Sequence, residues 1–271
     1  MKQNGRIYLN NNLDEQIKLN FIGLINIVKK LRSTEGCNWD KSQTESSLIP
    51  YFLEETYELI DSIDKKDNEN LKEELGDVML HIIFQSQIAT EKNTFTINDI
   101  IDSINKKLIN RHPHVFDSLS KSKIDNDKQN WEKQKHIDKG RTSRLDGVPN
   151  ILPSIIFSQR IQEKASLAGF DWDNISKVWE KLDEEIDELK IAQKENDFNK
   201  IQDEIGDLLF TVINLSRFLN ISAENALRSS NKKFIKRFKL LEKKVADSNK
   251  NIDNLSSNDL DKVWVEVKKI V

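Results

Sequence analysis

One acidic pattern is written twice in this chain, in a single register. Glu54-Glu55-Thr56-Tyr57-Glu58 is followed by Glu74-Leu75-Gly76-Asp77, and Glu184-Glu185-Ile186-Asp187-Glu188 by Glu204-Ile205-Gly206-Asp207. Each acid of the second copy lies 130 positions after its partner (184−54, 188−58, 204−74, 207−77). Residues three or four apart share a helix face, so Glu185 pairs with Glu188 and Glu204 with Asp207. Converging carboxylates repel one another at low effective dielectric unless a cation joins them. An oxygen-only ligand set without His or Cys favours a hard divalent ion, Mg²⁺ or Mn²⁺, over Zn²⁺. The spacing therefore predicts a duplicated metal site and points to phosphate chemistry.

The repeat extends beyond the acids. Gly36-Cys37-Asn38-Trp39-Asp40 matches Gly169-Phe170-Asp171-Trp172-Asp173 at a shift of 133 (169−36). Asn105-Lys106-Lys107 and Arg111 match Asn231-Lys232-Lys233 and Arg237 at a shift of 126 (237−111). Trp131 with Lys135 matches Trp264 with Lys268, again at 133 (264−131). Four blocks in one order imply a duplicated module, two copies rather than a solenoid. The expected division is residues 1–138, an N-terminal module with its connector, and 139–271, a C-terminal module. A length of 271 residues suits two domains.

Both modules read as helical. Apolar residues recur at helical spacing over 15–32, 45–64, 69–91 and 96–111, and again over about 153–169, 174–194, 197–218, 222–246 and 258–270. Nothing alternates apolar and polar residues long enough for a strand, and 8 Gly with 4 Pro disfavour a turn-rich β fold. The class is all-α. Pro113 predicts a helix end at Arg111–His112, with His112 and His114 as turn residues. Residues 117–150 read as a polar connector with room for a short helix near Trp131. A formal net charge of −3 gives no general drive toward nucleic acid. A single cysteine and a polar N-terminus, with no span of membrane length, suggest a cytoplasmic protein with no membrane role. Cys37, replaced by Phe170 in the second copy, reads as a small packing residue.

In the second copy the apolar seams are Leu182, Ile186 and Leu189, and Ile201, Ile205, Leu208 and Val212, with the acids beside them. Antiparallel packing through a loop at about 191–199 would bring four carboxylates together. Gly206 would then let two backbones approach or let a ligand in. Lys233 and Arg237, one helical turn apart, suit phosphate: Arg as a bidentate fork, Lys as a point charge. The bland alternative is a solvated charged face, which the duplication argues against.

EExxE followed by ExxD on an all-α chain resembles the MazG-type nucleoside triphosphate pyrophosphohydrolases. So do Gly-Cys-x-Trp-Asp at 36–40, Arg-His-Pro-His-Val-Phe at 111–116 and Gly-Phe-Asp-Trp at 169–172. The resemblance covers about residues 20–271. It implies Mg²⁺-dependent hydrolysis of NTPs to NMP and pyrophosphate by a homodimer, with catalysis in the C-terminal module. Carried over by motif, Glu185, Glu188, Glu204 and Asp207 would bind the metal. Lys181, Glu184, Lys200, Lys233, Arg237 and Trp264 would contact the nucleotide. Glu184, Glu185, Lys233 and Arg237 would take part in the chemistry. A second site would use Glu55, Glu58, Glu74, Asp77, Lys107 and Arg111, with Asn70 where the other copy has Lys200. A non-catalytic nucleotide sensor and a structural helical adaptor are the competing classes.

Overall fold

The computed structural model describes residues 11–116, 140 and 142–270. Every regular element among them is helical. The chain divides into two compact units, Met1–Ile124 and Asp125–Val271. The boundary expected at 138/139 falls outside the described residues, as do Trp131 and the short helix expected beside it.

In the first unit, α1 (Asn11–Leu31), α3 (Ile49–Lys65) and α4 (Asn68–Glu91) pack together. Their core is Val28, Leu48, Ile83, Phe84 and Ile88, with Phe21, Leu24, Ile25 and Leu80 against it. α3 and α4 are joined by a turn of two residues, which makes them an antiparallel hairpin. Lys66 takes a left-handed φ of 57°, and Asp67 caps α4 by accepting from the Glu69 and Asn70 backbone amides. Such a cap contributes about 1 kcal/mol. α2 (Asn38–Ser42) precedes the hairpin; α5 (Ile97–Arg111) and α6 (Pro113–Phe116) follow. α5 opens with a Thr96/Asp99 capping box and ends where Pro113 predicts. The His112 Nδ1–H donates to the Leu108 carbonyl at 2.8 Å, the turn role expected of it.

The second unit repeats the hairpin. α8 (Ile175–Glu195) and α9 (Phe198–Phe218) are joined by Asn196, φ 56°, and by Asp197, which caps α9 through the Asn199 and Lys200 amides. α7 (Ser154–Leu167) packs on α9. α10 (Ala223–Asp247) and α11 (Ser257–Val267) close a separate core of Leu241, Val245 and Val267. Leu182, Ile186, Leu189, Ile201 and Leu208 are half-buried along the seams, while Ile205 and Val212 stay exposed.

The periodicity places nine of these helices to within a few residues. It does not show α2, α6 or the 3₁₀ turn Ile252–Asn254, each too short to carry a period. Cys37 is not a packing residue. It lies exposed at the N-cap of α2 and makes no side-chain capping bond. No helix among the described residues is long and apolar enough to cross a membrane.

Candidate active site

The α8–α9 hairpin converts sequence spacing into a cluster. One carboxylate oxygen from each of Glu185, Glu188 and Glu204 lies within 4.8 Å of the others. Glu185 is 4% exposed, so its charge needs a partner. The Lys181 ammonium, one turn earlier on α8, supplies one at 2.9 Å and also donates to Glu184 at 2.7 Å. Its hydrogen bonds to Glu184 and Glu185 hold Lys181 well above the ordinary lysine range. Glu204 has no such relief. Burial, then the charges of Glu188, Glu185 and Asp207, push its carboxyl up. One lysine against four acids leaves the cluster short of positive charge, and oxygen ligands at this separation suit a hard divalent ion.

Behind the acids lies a cavity of about 620 Å³, within the usual range for small-molecule sites. Lys181, Glu185 and Asp207 line one end; Trp172, Asn214 and Arg217 lie among the residues lining the rest. The loop wall depends on Gly169, whose φ of 93° ends α7 in a left-handed turn with the Phe170 amide bonded back to the Ala165 carbonyl. Asp171, carried into place by that turn, grips Arg217 with two bonds of 2.5 and 2.9 Å. The Arg217 guanidinium, 14% exposed, also lies 4.6 Å above the Phe218 ring. This strap ties the loop to the helix that carries Glu204 and Asp207. A Cβ added to Gly206 would meet nothing within 4 Å. Gly206 therefore does not serve close backbone approach within this chain; it leaves space open.

The model of the MazG nucleotide pyrophosphohydrolase domain matches this chain twice, over residues 43–116 and 174–241, each span containing one hairpin. The chain belongs to the MazG family. It is 45% identical to the nucleoside triphosphate pyrophosphohydrolase/pyrophosphatase MazG of Thermotoga maritima, over 92% of this chain and 95% of that one. It is 38% identical to the nucleoside triphosphate pyrophosphohydrolase of Escherichia coli strain K12, over 91% and 96%. It is also 38% identical to the uncharacterized protein YabN of Bacillus subtilis, over 90% of this chain and half of that protein. The two-module MazG layout expected from the repeat is thus present along the chain.

The first MazG module also forms its acid cluster. Glu55, Glu58 and Glu74 bring oxygens within 4.8 Å of one another. Burial and the charge of Asp77 push Glu55 up; burial and Glu58 do the same to Glu74. The surroundings differ. Tyr51 stands where the second copy has Lys181 (181−130), edge-on to Trp39 at 5.8 Å. His81 replaces Thr211 and is buried against Phe52. Phe84, 5% exposed, replaces Asn214. Arg32 stands at the position of Ala165 (165−133). It lies 5.2 Å over the Phe84 ring, is paired with Glu91 at 2.7 Å, and donates to the Asp40 and Gln43 carbonyls. Side chains thus occupy positions that line an open cavity in the second module.

The remaining sequence-predicted residues fall elsewhere. Lys200 pairs with Glu195 at 2.7 Å beside the hairpin turn, and that bond holds its ammonium above the ordinary range. Lys233 is exposed and Arg237 half-buried on α10. Trp264, on α11, tilts against Phe234 at 5.4 Å and packs on the Leu241 core. None of these four lines the cavity of its own chain. Lys107 and Arg111 lie on α5, outside the first acid cluster. Sequence reasoning did not assign roles to Asp171, Thr211, Asn214 or Arg217. The available signal was a polar stripe on α9, where Glu204, Asp207, Thr211 and Asn214 recur at three- and four-residue steps.

Proposed function

We propose that the C-terminal module hydrolyses nucleoside triphosphates between the α and β phosphates, releasing a monophosphate and pyrophosphate. The observation that carries this reading is the acid cluster, only partly neutralised by Lys181, beside a largely apolar cavity of nucleotide size with a few polar groups on its wall. Relatives bearing the pyrophosphohydrolase name over nearly the whole length add weight.

Glu185, Glu188, Glu204 and Asp207 would hold Mg²⁺, with Mn²⁺ as a substitute. The fit rests on the oxygen-only donor set and on Glu204, whose carboxyl is pushed up by burial and by the neighbouring charges of Glu188, Glu185 and Asp207. When bound, the ion offsets phosphate charge and acidifies a water. Glu184, exposed beside the cluster, accepts a proton from the attacking water, while Lys181 fixes Glu184 and Glu185 in place. The water oxygen bonds to the α phosphorus. The α–β bridging bond breaks, and pyrophosphate leaves with the electron pair.

Lys233, Arg237 and Trp264 are not among the residues that line the cavity of their own chain, so we assign them to the nucleotide of a second protomer. Lys233 and Arg237 then stabilise charge growing on pyrophosphate. Ile205, Leu209 and Val212, exposed apolar residues on α9, support such a homodimer. We assign Lys200, one turn before Glu204, to the phosphates, which it would reach by leaving Glu195.

The test is ³¹P NMR of products after incubation with Mg²⁺ and each NTP and dNTP. NMP plus pyrophosphate is expected. NDP plus phosphate would overturn the cleavage position. Binding without turnover, with Mn²⁺ also tried, would replace an enzyme by a nucleotide sensor.

A further inference from the structure

The wall of the cavity remote from the acids has an unusual property: one of its amides has its orientation fixed. Asn214 lies seven residues, two helical turns, beyond Asp207 on α9. That places it on the same face, about 10 Å further along the axis. Its Oδ1 accepts from Arg217 Nε at 3.0 Å. A guanidinium only donates, so the amide cannot turn over without breaking this bond. Arg217 cannot easily swing aside either, because Asp171 holds its other two nitrogens. The group that Asn214 has left to offer is its NH₂, a donor, on the wall of the cavity.

If the phosphates sit at Glu185 and Asp207, the base extends toward Asn214, between apolar walls such as Trp172 and Phe210. The edge remote from the sugar then meets Asn214. In purines and pyrimidines that edge carries either a carbonyl, which accepts, or an amino group, which donates. Two donors facing each other in a half-enclosed site leave both without a partner, and that mismatch is costly.

We infer that Asn214 is a specificity-determining residue: it donates a hydrogen bond to the base carbonyl, so the enzyme prefers 6-keto purine and 4-keto pyrimidine nucleotides to their amino counterparts. The inference rests on the nucleotide reading of this cavity. Arg217 and Asp171 act through Asn214 as positioning residues. The first module holds no counterpart, since Phe84 and Gln87 occupy the equivalent positions (214−130, 217−130).

The test uses the full chain and two near-isosteric pairs, ITP with ATP and UTP with CTP. Specificity constants come from pyrophosphate release, and affinities from titration with the α,β-methylene analogues of the same four. The wild type should favour the keto member of each pair by roughly tenfold, the worth of one well-placed neutral hydrogen bond. Asn214→Asp keeps the shape and the bond to Arg217 but presents an acceptor, so the preference should reverse. Asn214→Leu should level each pair to within about twofold. Using ratios cancels the uniform effect of the new charge, and thermal melts confirm folding. A wild type indifferent to the keto–amino change, or Asn214→Asp retaining the wild-type ratio, overturns the inference. Analogue binding without any turnover would defeat the proposed reaction while the affinity ratios still decide the role of Asn214. Failure to bind any analogue would overturn both.

Discussion

The two modules build the same helical hairpin and the same triad of glutamates, yet they treat the space behind it in opposite ways. In the second, Lys181 neutralises part of the cluster, and Ala165, Thr211 and Asn214 leave a cavity. In the first, Tyr51 takes the lysine's place, and Arg32, His81 and Phe84 are packed there instead. Even the ion pair that ties the first helix or its following loop to the end of the ligand helix has exchanged its charges. Arg32 reaches Glu91 in one module, and Asp171 reaches Arg217 in the other. The glycine after the first helix serves a different need in each. Gly169 supplies a left-handed turn, while a Cβ on Gly36 would overlap the Leu31 carbonyl. The same acid cluster is therefore set against different surroundings: a few side chains decide what lies beside it.

The sharpest way to break this contrast is to remove one glutamate from each cluster. Glu204→Ala should lower Mg²⁺-dependent pyrophosphate release by roughly 100-fold or more, exceeding the effect usual for residues that merely support a metal ligand. Glu74→Ala should leave it within about twofold. The reverse pattern in steady-state assays would move catalysis to the first module.

A smaller effect separates filled from open space. Phe84→Ala should destabilise the first unit by about 3–4 kcal/mol, because a fully packed ring leaves a cavity that the fold cannot collapse. Chemical denaturation checks it. A loss under about 1 kcal/mol would mean that Phe84 does not plug that module.

The smallest concerns charge. Without a divalent cation, Glu204→Gln should melt higher than wild type at neutral pH, and Mg²⁺ should reverse that order. The sign follows from the raised carboxyl of Glu204. The folded chain holds that proton at a pH where the unfolded chain has released it. The charged form therefore destabilises the fold above the raised range, and the cost fades as pH falls toward the ordinary value of 4.5. The gap between variant and wild type should narrow over that window. Melts across the pH range in EDTA would show it, and a gap that widens on acidification would refute the shift.

Most of the fold was legible because long amphipathic helices write their period into sequence. Phe21, Leu24, Ile25 and Val28 announce α1, and all four belong to the first core. The acid cluster was legible for the same reason: two helical pairs and a short turn leave little freedom. The cavity was less so. Asn214 and Phe84 are equivalent by register, but the meaning of their difference needs the three-dimensional neighbours Arg217 and Arg32, which come from different distances along the chain. Lys233, Arg237 and Trp264 show the opposite limit. Their recurrence in the repeat marks them, yet nothing in a single chain brings them to the acids.

The repeat also records where this molecule tolerates a change of length. Between Gly36 and Trp39 the copies are offset by 133, across the hairpin by 130, and at Arg111 by 126. Three residues have therefore come or gone before the hairpin and four after it. From Glu54 to Asp77 the count is identical in both copies. Each residue added inside a helix turns everything beyond it by about 100°, enough to point one pair of acids away from the other. The flanking segments behave as slack, and the hairpin as a gauge whose setting is a number of residues. Loop insertions, tags or fused domains belong in the slack; one residue added within the gauge would part the two pairs of acids.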